Sequence, residues 1–65
     1  MDERDLRAHL EIIRTEHRDL DHAIEALVGV GTQDQLRLAR LKRRRLRLRD
    51  EIVRAEMMLI PDILA

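Results

Sequence analysis

Apolar residues recur through positions 6–27 at alternating steps of four and three: Leu6, Leu10, Ile13, Leu20, Ile24 and Leu27, with His17 holding the one polar place in the series. A repeat averaging 3.5 residues keeps one stripe of an α-helix turned toward a partner helix, so the series reads as a seam. The device returns at Leu38, Leu41, Arg45, Leu48, Ile52, Ala55 and Leu59, again with one polar member. Between the two runs lies VGVGT, residues 28–32, where two glycines interrupt the pattern. Gly29 suits the left-handed conformation that closes a helix, and Gly31 loosens the turn further. Asp2 is placed to cap the first helix, with Glu3 and Asp5 set against the positive end of its dipole. Thr32 followed by Gln35 matches a capping box and sets the second helix start near residue 33. Pro61 stops that helix.

The pattern predicts an all-α fold: an antiparallel two-helix hairpin, coiled-coil-like, in a single domain over 1–65. Its helices run over about 2–28 and 33–60, with a turn at 29–32 and an apolar tail at 61–65. Antiparallel pairing stacks Leu27 on Leu38, Ile24 on Leu41, Leu20 on Arg45, His17 on Leu48 and Ile13 on Ile52, then Leu10 on Ala55 and Leu6 on Leu59. His17 and Arg45 form a polar seam in adjacent layers. His17 is expected to fill its layer with one ring nitrogen partnered, and Arg45 to lay its stem in the seam while its guanidinium reaches Asp21 or solvent. Such polar members cost stability and help fix register.

The second helix has more to place than one seam. Leu36, Ala39, Leu46, Val53, Met57 and Ile60 make a second apolar stripe, displaced from the first by about a third of the helix circumference. Leu46 reveals it, because it sits among arginines and cannot share the seam of Leu41 and Leu48. A two-helix hairpin without aromatic residues is marginal alone, and a contiguous apolar stripe invites association. The stripe is therefore the expected interface of a homodimer, a four-helix bundle packed through the second helices. Arg37, Arg40, Arg44, Arg47 and Arg54 fall on a third, basic face, with Arg43 beside it. On one flank of the seam, Lys42 is expected to approach Asp21 and Glu56 to approach Arg7, while Arg14 and Arg49 repel. On the other flank Glu16 lies between Arg44 and Glu51.

Composition narrows the function. Hydrophobic residues make up 45% of the 65 and charged ones 40%, with no aromatic residue and no cysteine, which is the make-up of long helices. A disulfide framework and a cysteine-based zinc site are excluded. No serine or cysteine nucleophile, phosphate loop or pocketed carboxylate pair appears, so an enzyme is not expected. His9, His17 and His22 include no pair at i, i+3 or i, i+4, and no metal or cofactor is expected. The longest mostly apolar stretch, MMLIPDILA, is too short for a membrane span. The acidic opening does not resemble a secretory signal, so a cytoplasmic protein is the default. An arginine-rich helix beside an apolar stripe has the outline of a lipid-surface helix, but Trp and Phe are missing and dimerisation competes for the stripe.

The formal net charge is zero, but it is unevenly held. Residues 1–28 carry eight acids against Arg4, Arg7, Arg14 and Arg18; residues 33–60 carry nine bases against Asp34, Asp50, Glu51 and Glu56. The basic half contains Arg37, Arg40, Arg43, Arg44 and Arg47, which are spaced to contact phosphates along one groove. Zero net charge, no interleaved aromatics and no reading motif weigh against nucleic acid as the main partner.

Two blocks resemble a known family. EHRDLDHAIEAL, Glu16 to Leu27, and DQLRLARLKRRRLRLRDEI, Asp34 to Ile52, are similar to the YdcH-like small bacterial proteins, a domain of unknown function. His17, Leu20, Asp21 and Ile24 match its first block; Leu41, Lys42, Leu46, Leu48, Asp50, Glu51 and Ile52 match its second. Arg45 and Arg49 stand where the family usually has lysine, which keeps charge but changes hydrogen-bond geometry. The resemblance implies a helical hairpin and transfers no catalytic or binding residue. EMMLIPDILA lies outside it; the tail is expected either to fold over the open end near Leu6 or to dock another protein. Together these features point to a non-enzymatic interaction or adaptor module, with a nucleic-acid-associated protein using the arginine stripe as the alternative.

Overall fold

A computed structural model of the chain describes residues 2–59, which form two helices, α1 over Glu3–Gly29 and α2 over Gln35–Leu59. The helices pack against each other as an antiparallel hairpin, 48 Å in its longest dimension, and no strand occurs among the described residues. Ile60 and the tail at 61–65 lie outside the described residues, as does Met1.

Local chemistry accounts for the helix ends. The Asp2 carboxylate accepts the Asp5 backbone N–H at 2.8 Å, satisfying one of the donors that the first turn leaves open. At the other end the turn departs from the simple glycine pattern. Gly29 is the last residue of α1, and Gly31 carries the positive φ, 71°. The Val30 N–H donates to the Ala26 carbonyl and the Thr32 N–H to the Leu27 carbonyl, so the chain keeps hydrogen bonding to the helix end while it reverses. A side chain at Gly31 would be strained there, whereas Gly29 needs no special conformation.

The cap of α2 also differs from the Thr32 box. Asp34 is the capping residue: its carboxylate accepts the Arg37 N–H at 3.0 Å and its carbonyl accepts the Leu38 N–H at 3.1 Å. The Thr32 hydroxyl instead accepts the Asp34 N–H at 3.2 Å, and the Gln35 amide reaches back to the Thr32 carbonyl at 3.5 Å. Thr32 and Gln35 therefore meet, but they brace the turn. A carboxylate two residues further on is the better placed acceptor, and the helix starts at Gln35.

Packing follows the 3.5-residue seam. Leu6, Leu10, Ile13, Ile24, Leu38, Leu48 and Ala55 are buried, and His17, Leu20, Leu27, Leu41, Arg45, Ile52 and Leu59 are half-buried. Leu6, Leu10, Ile13, Leu48 and Ala55 form the main apolar cluster, against which Leu20, Ile52 and Leu59 pack. No described side chain is sealed from solvent entirely, the expected outcome where only two helices enclose a core.

Candidate interaction surfaces

Three surfaces of α2 remain once its seam is covered by α1. The first is the flank carrying Lys42, Arg49 and Glu56, and here the two helices exchange two ion pairs, while Lys42 and Arg49 make none within 4.0 Å among the described residues. Arg45 reaches out of the seam to the Asp21 carboxylate at 2.7 Å, and Arg14 reaches Glu56 at 2.8 Å. Arg45 reaches Asp21 as expected of it, and the expected approach of Lys42 to Asp21 is corrected, since Lys42 makes no ion pair there. Glu56 is taken by Arg14 instead of Arg7, which pairs within α1 with Glu3 at 2.9 Å. Arg14 therefore stands in an attractive setting, and its guanidinium is held above its ordinary pKa, first by the hydrogen bond to Glu56 and further by the charge of Glu56 and by Glu11. Loss of solvation opposes the shift, second only to the hydrogen bond to Glu56. His17 is half-buried beside this pair and lines the same shallow depression as Asp21, Lys42 and Arg49.

The second surface is the opposite flank. A shallow groove of about 650 Å³ runs between the helices here, with Arg40, Arg43, Arg44, Arg47 and Glu51 on the α2 side and the buried Ile13 and Leu48 between. Its α1 side carries His9, Ile12 and Glu16. Among the described residues none of Arg37, Arg40, Arg43, Arg44 and Arg47 makes an ion pair within 4.0 Å. Glu16 lies near Arg44 without pairing with it at that distance. The arginine forks are thus available to an outside anion, and guanidinium groups suit oxyanions because they can donate two hydrogen bonds at once. Ile12, 58% exposed in this basic setting, is the member that the sequence pattern did not single out. Its signal was present: Ile12 precedes the buried Ile13, and neighbouring positions on a helix cannot share one seam.

The third surface faces away from α1. Leu36, Leu46, Val53 and Met57 are 63%, 59%, 45% and 64% exposed, with Ala39 exposed between them. All five project from one side of a continuous helix, over roughly 32 Å at the standard rise. Arg43 and Asp50 are also exposed on this side and interrupt the row.

None of these surfaces has the makings of a metal centre: no group of three or more His, Asp or Glu residues is gathered among the described residues. No described helix is long and apolar enough to cross a membrane. The model of the family described as DUF465, protein of unknown function, matches residues 10–56. That stretch contains most of both helices and the turn. No curated protein and no solved structure matches the chain.

Proposed function

The chain belongs to the DUF465 family, the family of the YdcH-like proteins, which is of unknown function; from that premise we propose that it is a non-enzymatic interaction module that works as a homodimer. The observation that carries this reading is the outward stripe of α2, where four large apolar side chains each leave about half or more of their surface in water. A hairpin with so thin a core gains by covering that stripe, and α2 against α2 of a second copy is the direct way to form a four-helix assembly. Sedimentation tests it: the wild-type chain is expected to dimerise at tens of micromolar. A folded monomer throughout that range removes the reading.

A second reading is favoured by a separate observation, the five arginines without an ion-pair partner among the described residues. They support binding of a polyphosphate chain, as in DNA or RNA, along the groove. Binding of this kind falls steeply as salt rises, because condensed counterions are released. The test compares wild type with the Arg40→Glu/Arg44→Glu/Arg47→Glu variant on DNA and RNA at low and moderate salt. Loss of salt-dependent binding in the variant supports the reading; equal and negligible retention of both proteins ends it.

A further inference from the structure

The outward stripe of α2 has an internal symmetry that says how its occupant lies. Counting from Leu46, Ala39 and Val53 stand seven residues before and seven after. Leu36 and Met57 stand ten before and eleven after, and the two charged interruptions, Arg43 and Asp50, stand three before and four after. Positions at distances matching to within one residue are therefore alike: apolar answers apolar, and Arg43 answers Asp50. We propose that a second copy of this chain docks antiparallel on α2 with its two-fold axis at Leu46. The proposal rests on the self-association reading above and supplies its register.

The charges at the two interruptions favour an antiparallel second copy. Along one α2, Arg43 and Asp50 are two turns apart, about 10.5 Å at the standard rise, and form no ion pair with each other or with any other described residue. Across the two-fold axis Arg43 meets Asp50 of the second copy, and the contact occurs twice. A parallel pairing sets Arg43 against Arg43 and Asp50 against Asp50, placing like charges together at both interruptions. An unrelated helix lacks any reason to match the spacing. An isologous contact of this kind uses one patch for both partners and closes at two chains.

The geometry also fixes the shape of the pair. At 100° per residue the stripe is centred about 150° around α2 from the seam, so α1 and the second copy sit on nearly opposite sides. The four helices lie in a row, α1 beside α2 beside the second α2 beside the second α1, an open form of a four-helix bundle. The two-fold axis is perpendicular to that row. It turns each chain within the layer without flipping it, so both arginine grooves open on the same side.

The test is a charge exchange read by sedimentation equilibrium on the full chain. Arg43→Asp and Asp50→Arg are each expected to weaken the dimer by about tenfold, since two attractive contacts become two repulsive ones. The double variant Arg43→Asp/Asp50→Arg restores the opposite-charge pairing and is expected to return to within a few-fold of wild type. Circular dichroism on the same samples separates loss of dimer from loss of helix. Because the chain has no cysteine, Leu36→Cys and Met57→Cys supply an independent readout. Oxidising their mixture is expected to link the two variants to each other, and neither to itself. A wild-type dimer with no rescue in the double variant, or with Leu36→Cys linking to itself, overturns this register and leaves self-association standing. A wild-type chain that stays monomeric overturns both.

Discussion

Replacing Leu46 with Glu tests the proposed interface at the position where symmetry doubles every effect. Leu46 is 59% exposed in the hairpin, at the edge of the depression it shares with His17 and Asp21, so most of its surface is still to be covered. Fully burying a leucine is worth about 1.5–3 kcal/mol; covering the part still in water contributes roughly 1–2 kcal/mol for each copy. On the two-fold axis both copies are covered by each other, and the loss approaches about 2–3.5 kcal/mol. The glutamates would also face each other, adding like-charge repulsion and the cost of stripping water from two carboxylates. At 1.4 kcal/mol per factor of ten, Leu46→Glu is expected to raise the dimer Kd by at least about 30-fold. Leu46→Met, which keeps the volume, is expected to change it by less than about tenfold. With no Trp or Tyr in the chain, sedimentation is followed by interference or far-ultraviolet absorbance, with helicity measured at each concentration. A Leu46→Glu protein that dimerises like wild type refutes the reasoning.

The remaining expectations concern the hairpin itself. Gly29→Ala removes a flexible residue at the end of a helix, where a β-carbon meets nothing within 4 Å, and is expected to stabilise by up to about 1 kcal/mol. Gly31→Ala forces a β-carbon onto a left-handed backbone with φ 71°, and is expected to cost about 1–2 kcal/mol. Thermal melts of the pair decide the matter, and equal shifts in the two variants would show that the turn is not built around Gly31. A double-mutant cycle on Asp21→Ala and Arg45→Ala is expected to give a coupling below about 1 kcal/mol that shrinks with salt, because a third or more of each side chain is in water. A salt-insensitive coupling of about 2 kcal/mol or more would instead mean that the pair is effectively buried.

The hairpin was legible in the sequence because its physics is periodic. Fourteen positions at steps of three and four could be assigned to one seam, and burial of those same positions needs nothing beyond helix geometry and the removal of apolar surface from water. The partners of the long charged side chains were less legible. Arg14, Arg45 and Lys42 all reach several ångströms from their backbone, so helix position alone leaves two or three carboxylates within range of each. Which pair forms depends on how each stem leaves the seam. The turn was misjudged for a related reason. Thr32, Asp34, Gly29 and Gly31 are all suited to a helix boundary, and their competition is settled by which backbone N–H each acceptor actually faces.

The surfaces of α2 became interpretable only after the seam had claimed its share. In the linear sequence, residues 37–49 are a basic run broken by leucines. On the helix they separate into Arg45 at the seam, Lys42 and Arg49 on the flank beside the Arg45–Asp21 pair, Arg40, Arg44 and Arg47 in the groove, Leu46 on the outer side, and Arg43 between groove and outer side. Asp50 matters because it ends the run on the outer side, as the acid that answers Arg43 across the proposed two-fold axis. The same division connects the two functional readings. In the proposed row the two arginine grooves share a side, so their mutual repulsion weakens the dimer that Leu46 and its neighbours favour. In the proposed pair, an anion spanning both grooves would bind two chains better than one, and by linkage would strengthen the pair. The two proposals are thus coupled: the apolar stripe would set where the second copy sits, and the arginines when it is held there.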